Sequence, residues 1–448
     1  MYVNDISKLN KTKIYKEIYV KSISDIQKIV MKANKENRKI SIVGSKHTMG
    51  GHTMYDDSYY VNINRMKQMK ILKNNKLRVE SGAKFCDIIK YLNKYKKTVC
   101  SMQSYCNFTI GGSISVNAHG IISDEHLSNT VYELRLINSN GELITCNKNT
   151  NSKLFKLVMG GYGLFGIIYD CIIKIQNNYE FIPTITMVDS SKYLSYSKKH
   201  LKENNTMKIT RINLNNTNKF MVIKYNKVNN KSVKSKLKKK LHKENLKNLF
   251  FVYLLSTETF KLLRFKYENI KEKPIDFSVY KTTPNELLYV DTNVVTPYSD
   301  YSLFTFILQE YFISEKYFNK FIKEFKLLCE QHLLLKGITL LNVTIRIINK
   351  DNNTYLKYAP TKRYSFVLYF KILKVVHNTT FKTLCNKFID LVIKCKGTFY
   401  LPYSTFYTKE QLLKSYPMIK TFIKYKKHYD KNELFNNKFY QYCLNIMK

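Results

Sequence analysis

Residues 110–120 read I-G-G-S-I-S-V-N-A-H-G, and the rest of the chain is best understood from this stretch outward. Two adjacent glycines remove side chains at a place where a ligand can approach the backbone closely. Small hydroxyls and a polar N-A-H-G end make the stretch unsuitable as a core strand. No Gly-Lys-Ser/Thr follows, so it is not a nucleotide P-loop. We therefore expect a loop that wraps closely around a flat, phosphate-bearing ligand.

Two further glycine-rich turns occur earlier and later in the same part of the chain. Residues 44–52 (G-S-K-H-T-M-G-G-H) directly follow an alternating strand pattern at residues 39–43, and residues 160–166 (G-G-Y-G-L-F-G) lead into an apolar strand at residues 167–175. Free backbone N–H groups in such turns suit an anion or a pyrophosphate. None of the three has the G-x-G-x-x-G spacing between a strand and a helix, which excludes a Rossmann domain.

The chain has 448 residues, which is too long for a single hydrophobic core and predicts two large lobes. Residues 1–176 read as a mixed α/β lobe, with a helix at residues 24–33 opened by a capping box of Ser24 and Gln27. From residue 177 to 395 glycine nearly disappears, and strands alternate with lysine-rich helices, which predicts an antiparallel α+β lobe. Residues 396–448 carry a signature of their own.

The formal net charge is +42, and it supports two interpretations. A strongly basic chain suits nucleic acid or an anionic membrane surface, and residues 231–243 form one dense basic run. Alternatively, lysines simply occupy solvated positions. Because lysines are spread along the whole chain, we favour the second interpretation, and binding to nucleic acid or an anionic surface stays an alternative.

Nine cysteines lack any C-x-x-C pairing, and their odd number predicts free thiols in a reducing compartment. The N-terminus lacks the apolar core of a signal peptide, so a cytoplasmic location is expected. The sequence contains neither H-x-x-x-H nor paired cysteine ligands, so it does not predict a metal site. It contains no G-x-S-x-G elbow, so it does not predict a hydrolase.

Four motifs in fixed order now resemble a known superfamily: V-G-S-K-H-T-M-G-G-H, a strand ending in E-S-G, F-T-I-G-G-S-I-S-V-N-A-H-G, and G-G-Y-G-L-F-G-I-I. They resemble the vanillyl-alcohol-oxidase, or PCMH-type, FAD-binding oxidoreductases, nearest to the alditol and aldonolactone oxidases. The C-terminal Y-D-K-N-E-L-F-N-N is similar to the D-P-x-x-x-F-x-N tail of those flavoproteins. The resemblance implies an α+β fold in which residues 1–176 and 396–448 form a two-lobed FAD-binding domain. Residues 177–395 would be an inserted antiparallel α+β substrate (cap) domain.

The resemblance also implies which residues bind FAD. They are Gly44, Ser45, Lys46, His47, Thr48, Met49, Ser101, Gln103, Gly111, Gly112, Ser113, Ser115, Asn117, His119, Gly120, Gly163, Gly166 and Ile168. His47 lies where the family often carries a histidine linked covalently to the flavin, with non-covalent hydrogen bonding as the alternative. Lys46 stands where many relatives have glycine. Some family members add a cysteine link near the second loop, which makes Cys106 an alternative that we disfavour.

The residues that act on the substrate are less clearly marked. Alditol-type oxidases have a Glu-x-Arg on a cap strand near the flavin, and the comparable segment here ends at Arg346, with Thr344 in place of the acid. Arg346 is then expected to activate the substrate hydroxyl or to stabilise negative charge. The alternative is a surface strand arginine. Tyr403 stands near the place of the family's P-H-W-G-K segment. The segment Gln309-Glu310-Tyr311 lies on an apolar stretch, where we favour a structural role over lining the cleft.

The sequence thus predicts an FAD-dependent oxidase or dehydrogenase that oxidises a CH–OH group of a sugar alcohol, lactone or related alcohol. Hydride would pass to flavin N5, and O2 is the expected electron acceptor, giving H2O2. One alternative is a flavin-dependent reductase of the same superfamily that acts on a lipid-linked or sterol-like substrate. The other is a basic binding protein with a vestigial flavin site.

Overall fold

The computed structural model of the chain describes residues 1–202, 207–214, 216–237, 281–290, 303–332 and 337–448. Helices pack on largely antiparallel sheets, which confirms the α+β class. An inserted cap at residues 177–395, and the division into residues 1–176 and 396–448 around it, stay predictions. The basic run at residues 231–243 lies outside the described residues from position 238 onward.

The N-terminal part contains eleven of the described strands and four of the helices. The strands are β1 (Tyr2–Val3), β2 (Thr12–Lys13), β3 (Lys16–Tyr19), β4 (Ile40–Val43), β5 (Tyr59–Asn62), β6 (Met69–Leu72), β7 (Lys76–Glu80), β8 (Lys97–Val99), β9 (Val131–Ile137), β10 (Leu143–Asn147) and β11 (Ile167–Asn177). The helices are α1 (Ile23–Lys35), α2 (Phe85–Asn93), α3 (Ile110–Ser115) and α4 (Ser152–Val158).

Two sheets organise this part. Strands β3, β5 and β4 form a parallel sheet, and α1 packs on it through Ile26, Ile29, Val30 and Ala33, which share one helix face. A six-stranded antiparallel sheet has the order β10-β9-β11-β7-β6, with β8 paired to the far end of β11. A tight turn at residues 138–141 joins β9 to β10.

The remaining described strands form one seven-stranded antiparallel sheet. They are β12 (Tyr179–Asp189), β13 (Lys208–Ile212), β14 (Lys219–Ser232), β15 (Phe304–Ser314), β16 (Ile338–Ile348), β17 (Arg363–Leu373) and β18 (Thr398–Phe399). Their order is β12-β14-β13-β16-β17-β15-β18. Helices of this part are α5 (Tyr193–His200), α6 (Pro284–Leu288), α7 (Phe318–His332) and α8 (Lys382–Lys394).

The two faces of this sheet have different neighbours, because side chains alternate along a strand. Phe366 on β17 packs against Phe321 of α7 at a ring separation of 4.7 Å, so α7 and α8 cover one face. The adjacent Val367 points the other way and lines an internal cavity. The other face of the sheet therefore lies across this cavity from the N-terminal part of the chain.

The C-terminal stretch adds α9 (Lys409–Ser415), α10 (Ile419–Tyr429) and α11 (Lys438–Met447), and it returns to the N-terminal sheet. Asp430 accepts hydrogen bonds from the backbone N–H groups of Leu434 and Phe435, and Phe435 bridges to Ile40 on β4. Asn437 caps α11 and donates to the Tyr162 carbonyl. The Asp, Phe and Asn of the tail motif thus each stabilise the return of the chain.

Three sequence-based expectations are wrong. Helix α1 is capped by Ser22, whose hydroxyl accepts from Asp25 N–H, and not by Ser24. The stretch at residues 110–120 is not wholly a loop: α3 occupies its first half, because the Thr109 side chain caps the Gly112 N–H. Cys86 and Cys106 are not free thiols but form a disulfide. That pairing removes the basis for expecting a reducing compartment, since disulfides are rare there.

The described ranges contain neither a membrane-spanning helix nor a metal-binding cluster of side chains. No helix in them is long and apolar enough to cross a membrane. In the same ranges, no group of three or more His, Cys, Asp or Glu side chains is arranged to hold a metal ion.

Candidate active site

A cavity of about 430 Å³ lies between the N-terminal loops and the seven-stranded sheet. We call the wall formed by residues 44–49 and 103–121 the floor, and the cavity-facing side chains of β13–β17 the roof. The predicted residues that line this cavity are Gly44, Ser45, Lys46, His47, Thr48, Met49, Gln103, Gly112, Ser113, His119, Arg346 and Tyr403. The structure therefore brings both glycine loops and both predicted catalytic residues to one space.

A smaller cavity of about 70 Å³ adjoins the first and shares Gly44, Thr48 and Gly112 with it. It is lined by the third glycine turn, as the family resemblance implies. The predicted residues found here are Gly111, Ser115, Gly163, Gly166 and Ile168. The two cavities together follow the three glycine-rich segments across the N-terminal part.

Three predicted residues lie outside both cavities and hold the loops in place. Ser101 donates to the Glu125 carbonyl, and Asn117 donates to Asp351 at 3.1 Å. A Cβ atom on Gly120 would lie 1.7 Å from the Met102 carbonyl oxygen, so only glycine fits there. Their contacts are with protein, and their predicted contact with cofactor stays a prediction.

The floor fits a phosphate-bearing ligand on two independent observations. The hydroxyls of Ser45 and Thr48 are buried in this wall and have no hydrogen-bond partner within the described ranges. A Cβ atom on Gly44 would lie 2.2 Å from Thr109 Oγ1, and one on Gly112 would lie 2.9 Å from the same atom. The two loops therefore approach each other closely at Thr109, and both glycines line the cavity. Backbone N–H groups of the first glycine loop can bind a pyrophosphate there.

Lys46 has a left-handed backbone conformation with φ of 60°. Such a conformation strains any residue other than glycine, which explains why glycine is the usual residue here in the superfamily that the sequence resembles. The Lys46 ammonium lies 5.2 Å from the centre of the Tyr60 ring. This chain therefore keeps a cation in the loop at the expense of backbone strain.

The histidines of the first loop occupy different surroundings. His47 lines the main cavity, and its ring centre lies 4.4 Å from that of Phe108. His52 lines the small cavity, where its ring stacks on Phe439 at 4.6 Å. Burial lowers the pKa of His52 to about 3, so its ring is neutral at ordinary pH. The alternative role of Cys106 as a flavin link is wrong, since its sulfur is bonded to Cys86.

The roof is a set of side chains from strands far apart in sequence. Arg211, Thr344, Val367 and Glu310 form one row across β13, β16, β17 and β15, and all four line the cavity. Arg346 lies two residues beyond Thr344 and so faces the same way. Its Nη2 donates to Ser104 Oγ at 3.0 Å, which connects the roof to the floor.

A buried pair joins floor and roof at one end of the cavity. His119 Nε2 and Glu310 Oε1 are 2.7 Å apart, and both side chains are 2% exposed. Burial raises the pKa of Glu310, but the charges of His119 and Arg346 and a hydrogen bond from Ser365 outweigh it, so the pKa lies below its ordinary value. Glu310 therefore stays ionised. The roof therefore carries a carboxylate on β15, and Thr344 on β16 is not acidic.

From the sequence, a structural role was favoured for Glu310 and its neighbours, and Arg211 was not predicted to line the cavity. The available signal was a charge within an apolar strand, F-I-L-Q-E-Y-F-I in β15, because buried charges persist only when they are paired. Tyr403, which was predicted, lines the cavity close to both groups: burial raises its pKa, Glu310 adds to the rise and Arg346 opposes it.

Residues 17–147 match a family model described as an FAD binding domain. The chain is 28% identical to cytokinin dehydrogenase 2 of Arabidopsis thaliana over 152 residues, which cover 33% of this chain and 30% of that protein. It is 22% identical to L-gulonolactone oxidase of Mus musculus over 189 residues, covering 41% and 42%. It is 27% identical to D-arabinono-1,4-lactone oxidase of Debaryomyces hansenii over 177 residues, covering 36% and 31%.

Each of these matches spans less than half of the relative's length. The matched region contains two of the three glycine-rich segments and the buried hydroxyls of the floor. The superfamily resemblance is thereby confirmed. The chain carries an FAD-binding domain of the PCMH type, and its cofactor is FAD.

Proposed function

We propose that the chain is an FAD-dependent oxidoreductase that oxidises a CH–OH group of a sugar alcohol, a lactone or a related alcohol, with O2 as electron acceptor and H2O2 as product. The observation that carries this proposal is the buried His119–Glu310 pair in the wall of a cavity that fits FAD. Relatives named as oxidases and dehydrogenases support the reaction class. Their names include lactones and cytokinin, so they favour no single substrate.

When bound, FAD supplies an acceptor for the hydride of the substrate C–H bond. The protein must then take the hydroxyl proton. An ionised Glu310 accepts a hydrogen bond from His119 Nε2, which leaves the lone pair on Nδ1. Nδ1 is buried without a hydrogen-bond partner in the described part of the chain. His119 Nδ1 is accordingly the atom that takes the proton, and Glu310 orients the ring and stabilises its charged form.

Arg346 and Tyr403 complete this end of the cavity. A fixed guanidinium in a largely apolar cavity stabilises negative charge that develops during hydride transfer. The Tyr403 hydroxyl stays protonated at all working pH values, because burial raises its pKa. It therefore acts as a hydrogen-bond donor to substrate rather than as a base.

We also propose that His47 is the point of covalent attachment, because it lines the cavity within the first glycine loop. Acid precipitation of the purified protein tests this: yellow colour retained in the pellet supports a covalent flavin, and its release contradicts one. His47→Ala should release the colour. The matched variant His428→Ala, at an exposed position, should retain it.

The decisive experiment is the visible spectrum of purified protein, followed by anaerobic addition of polyols, lactones and simple secondary alcohols. Bleaching of the flavin band by an alcohol, and peroxide release on admitting air, support the proposal. Protein that contains FAD but is bleached only by NADPH, without peroxide, would instead support the reductase alternative. Colourless protein that cannot be reconstituted with FAD would contradict the proposed function.

A further inference from the structure

We propose that the Cys86–Cys106 disulfide is a redox site that controls the order of the cavity floor: a thiol reduces it by attack at Cys86, and H2O2 forms it again. The disulfide holds the floor in one shape, and its reduction loosens the floor. This control needs only the fold and the bound FAD, whereas H2O2 as the oxidant rests on the proposed function, which generates it.

Cys86 carries the accessible sulfur of this protein. All nine cysteines lie within the described ranges, and the seven free ones are buried. Cys106 is 2% exposed, whereas Cys86, in the first turn of α2, is half-buried. Access decides which sulfur of a disulfide a thiolate attacks. A dissolved thiol therefore attacks Cys86 Sγ, and Cys106 is the leaving group.

The disulfide ties α2 to a segment of the floor, residues 103–108. The residues of this segment that line the cavity are Gln103, Ser104, Tyr105 and Phe108. Cys106 lies among them in sequence, but its side chain packs in the hydrophobic core. The disulfide therefore anchors the segment from the core side and leaves the cavity itself free for a ligand.

The anchored segment contacts residues on both sides of the cavity. Ser104 Oγ accepts a hydrogen bond from Arg346 Nη2 of the roof at 3.0 Å. The ring centre of Phe108 lies 4.4 Å from that of His47 in the first glycine loop. A displacement of the segment therefore changes the surroundings of a predicted catalytic residue and of the proposed flavin attachment point.

The disulfide is the covalent one of two anchors of this segment. Upstream, Met102 packs so closely on Gly120 that a Cβ atom there would lie 1.7 Å from the Met102 carbonyl oxygen. Downstream, Cys106 is held by the disulfide and by hydrogen bonds of its backbone N–H and carbonyl. Residues 103–105 span the distance between the two anchors. After reduction the downstream anchor consists of hydrogen bonds, which open by local fluctuation.

Reduction of the disulfide balances with a thiol as the reductant. Its thiolate attacks Cys86 Sγ, the S–S bond breaks, and Cys106 leaves as a thiolate that takes up a proton. A second thiol then attacks the mixed disulfide at Cys86. The protein keeps two thiols, and the two reductant molecules are joined as their own disulfide.

Oxidation balances with H2O2. The Cys86 thiolate attacks one oxygen, the O–O bond breaks, and the other oxygen leaves as hydroxide that takes up a proton to give water. The Cys106 thiol then attacks the resulting sulfenic acid and displaces a second water. The disulfide is restored, and one H2O2 is reduced to two waters.

The oxidant is generated next to its target. The proposed reaction forms H2O2 in the cavity that Ser104 and Tyr105 line, and Cys106 directly follows them in the chain. Turnover therefore restores the ordered floor, whereas an external thiol loosens it. The balance between the two reactions sets the fraction of chains with an ordered floor.

The test compares the purified full chain with FAD bound in two forms, oxidised and reduced by dithiothreitol under native conditions. Hydrogen exchange is followed by mass spectrometry of peptides. Residues 103–108 should exchange about tenfold faster or more in the reduced form, because the segment opens more often. Residues 131–137 of β9, which are paired with a strand on each side, should keep their rate. Equal exchange of residues 103–108 in the two forms would overturn the control of the floor.

Two variants identify the reactive sulfur. Cys106→Ser should take up one glutathione from glutathione disulfide, at Cys86. Cys86→Ser should react at least tenfold more slowly, since its remaining cysteines are all buried. Both should exchange as the reduced wild type does, and the reduced wild type gives the same comparison should either variant fail to fold. Faster reaction of Cys86→Ser than of Cys106→Ser would overturn attack at Cys86.

Cys146→Ser is the matched control, because Cys146 is a buried free cysteine on β10 that lines neither cavity. It should show the slow exchange of the oxidised form and respond to dithiothreitol as the wild type does. Loosening of residues 103–108 in this variant would show that loss of any buried cysteine has the effect, and it would overturn the assignment to the disulfide.

Added H2O2 separates this inference from the function on which its oxidant rests. One equivalent added to the reduced chain should restore the disulfide and the slow exchange, and persistence of both thiols would overturn H2O2 as the oxidant. This step requires no turnover. Restoration by added H2O2, together with failure of every alcohol tested to bleach the flavin, would support the redox site and contradict the proposed function.

Discussion

The floor and the roof of the cavity differ in how they are built. The floor comes from short local stretches, in which glycines and small hydroxyls present backbone and buried oxygen atoms to a ligand. The roof comes from five strands that are separated by up to about a third of the chain in sequence, and it presents charged side chains. The floor thus suits a cofactor that is recognised by its shape and phosphates, whereas the roof brings the carboxylate of Glu310 and the guanidinium of Arg346 to the same space.

The two regions meet at the His119–Glu310 pair, since His119 belongs to the floor and Glu310 to the roof. A variant that separates chemistry from cofactor binding should act at this junction. Four predictions follow the comparison from the largest effect to the smallest.

The largest effect is expected from removing the pair. His119→Ala and Glu310→Gln should each slow flavin reduction by about 10²–10⁴-fold, the usual contribution of general acid–base catalysis, while FAD content stays normal. Protonation of His119 Nδ1 removes the proposed base, so the wild-type rate should fall toward acid pH. The carboxylate of Glu310, whose pKa lies below its ordinary value, stabilises the charged ring, so this limb should change in Glu310→Gln. Anaerobic stopped-flow measurements over a pH series check both points.

The matched control for this experiment is Glu324→Gln, a half-buried residue of α7 that pairs with Lys394 on α8. It should leave the rate and its pH profile unchanged. Loss of FAD from His119→Ala or Glu310→Gln would show that the pair holds the cofactor, and the separation of floor from roof would then be incorrect.

The floor itself is tested by Gly44→Ala. The added Cβ would lie 2.2 Å from Thr109 Oγ1, so one of them must move, and FAD affinity should fall by about tenfold to hundredfold, as overpacking costs about 1–3 kcal/mol. Thr109→Ala in the same chain removes the colliding oxygen and should restore part of the affinity. Reconstitution of apoprotein, followed by flavin fluorescence, measures both. Wild-type affinity in Gly44→Ala would show that the close approach is not needed.

The stability of the fold should depend on pH through His52, which lines the small cavity beside the floor. Its pKa of about 3 in the folded chain lies below the ordinary value of 6.5, so its contribution to stability is present above pH 6.5 and is lost as pH falls toward 3. His52→Leu removes this dependence and should retain roughly 3 kcal/mol more stability at pH 4, relative to pH 7, than the wild type does. Urea unfolding at the two pH values measures the difference. His428→Leu, at an exposed position, should follow the wild type, and an unchanged slope in His52→Leu would refute the assignment.

The smallest effect is expected at Lys46. Lys46→Gly removes the strain of its left-handed backbone, about 1 kcal/mol, and should raise the unfolding temperature of the apoprotein by a degree or two. The same change removes one cation and should weaken FAD binding less than tenfold. Lys46→Arg keeps both strain and charge and should change neither quantity. Thermal unfolding and FAD titration measure these two quantities in both variants. Equal melting points for Lys46→Gly and wild type would show that the backbone relaxes.

The floor was largely predictable, because its chemistry is encoded in contiguous residues. The resemblance carried by these motifs implied that Gly44, Gly112 and Gly163 contact one cofactor, and the three residues line adjoining cavities. What local sequence did not show was that Thr109 caps a helix at residues 110–115, since six residues carry too little periodic pattern to mark one.

The roof was not predictable, because it depends on which strands become neighbours. Arg211 and Glu310 acquire their role only through the order β13-β16-β17-β15, which no local pattern contains. The Cys86–Cys106 disulfide escaped prediction for the same reason, since pairing follows from proximity in space and not from spacing in sequence.

The return of the tail to β4 has a consequence for the order of events during synthesis. Ile40 N–H binds the Leu434 carbonyl and Asn436 N–H binds the Ile40 carbonyl, while Met49 N–H binds the Pro402 carbonyl. The first glycine loop is therefore held from both sides by residues that a ribosome makes several hundred positions later. Nascent chains that stop short of this segment should not retain FAD, so loading of the cofactor follows translation and does not guide it.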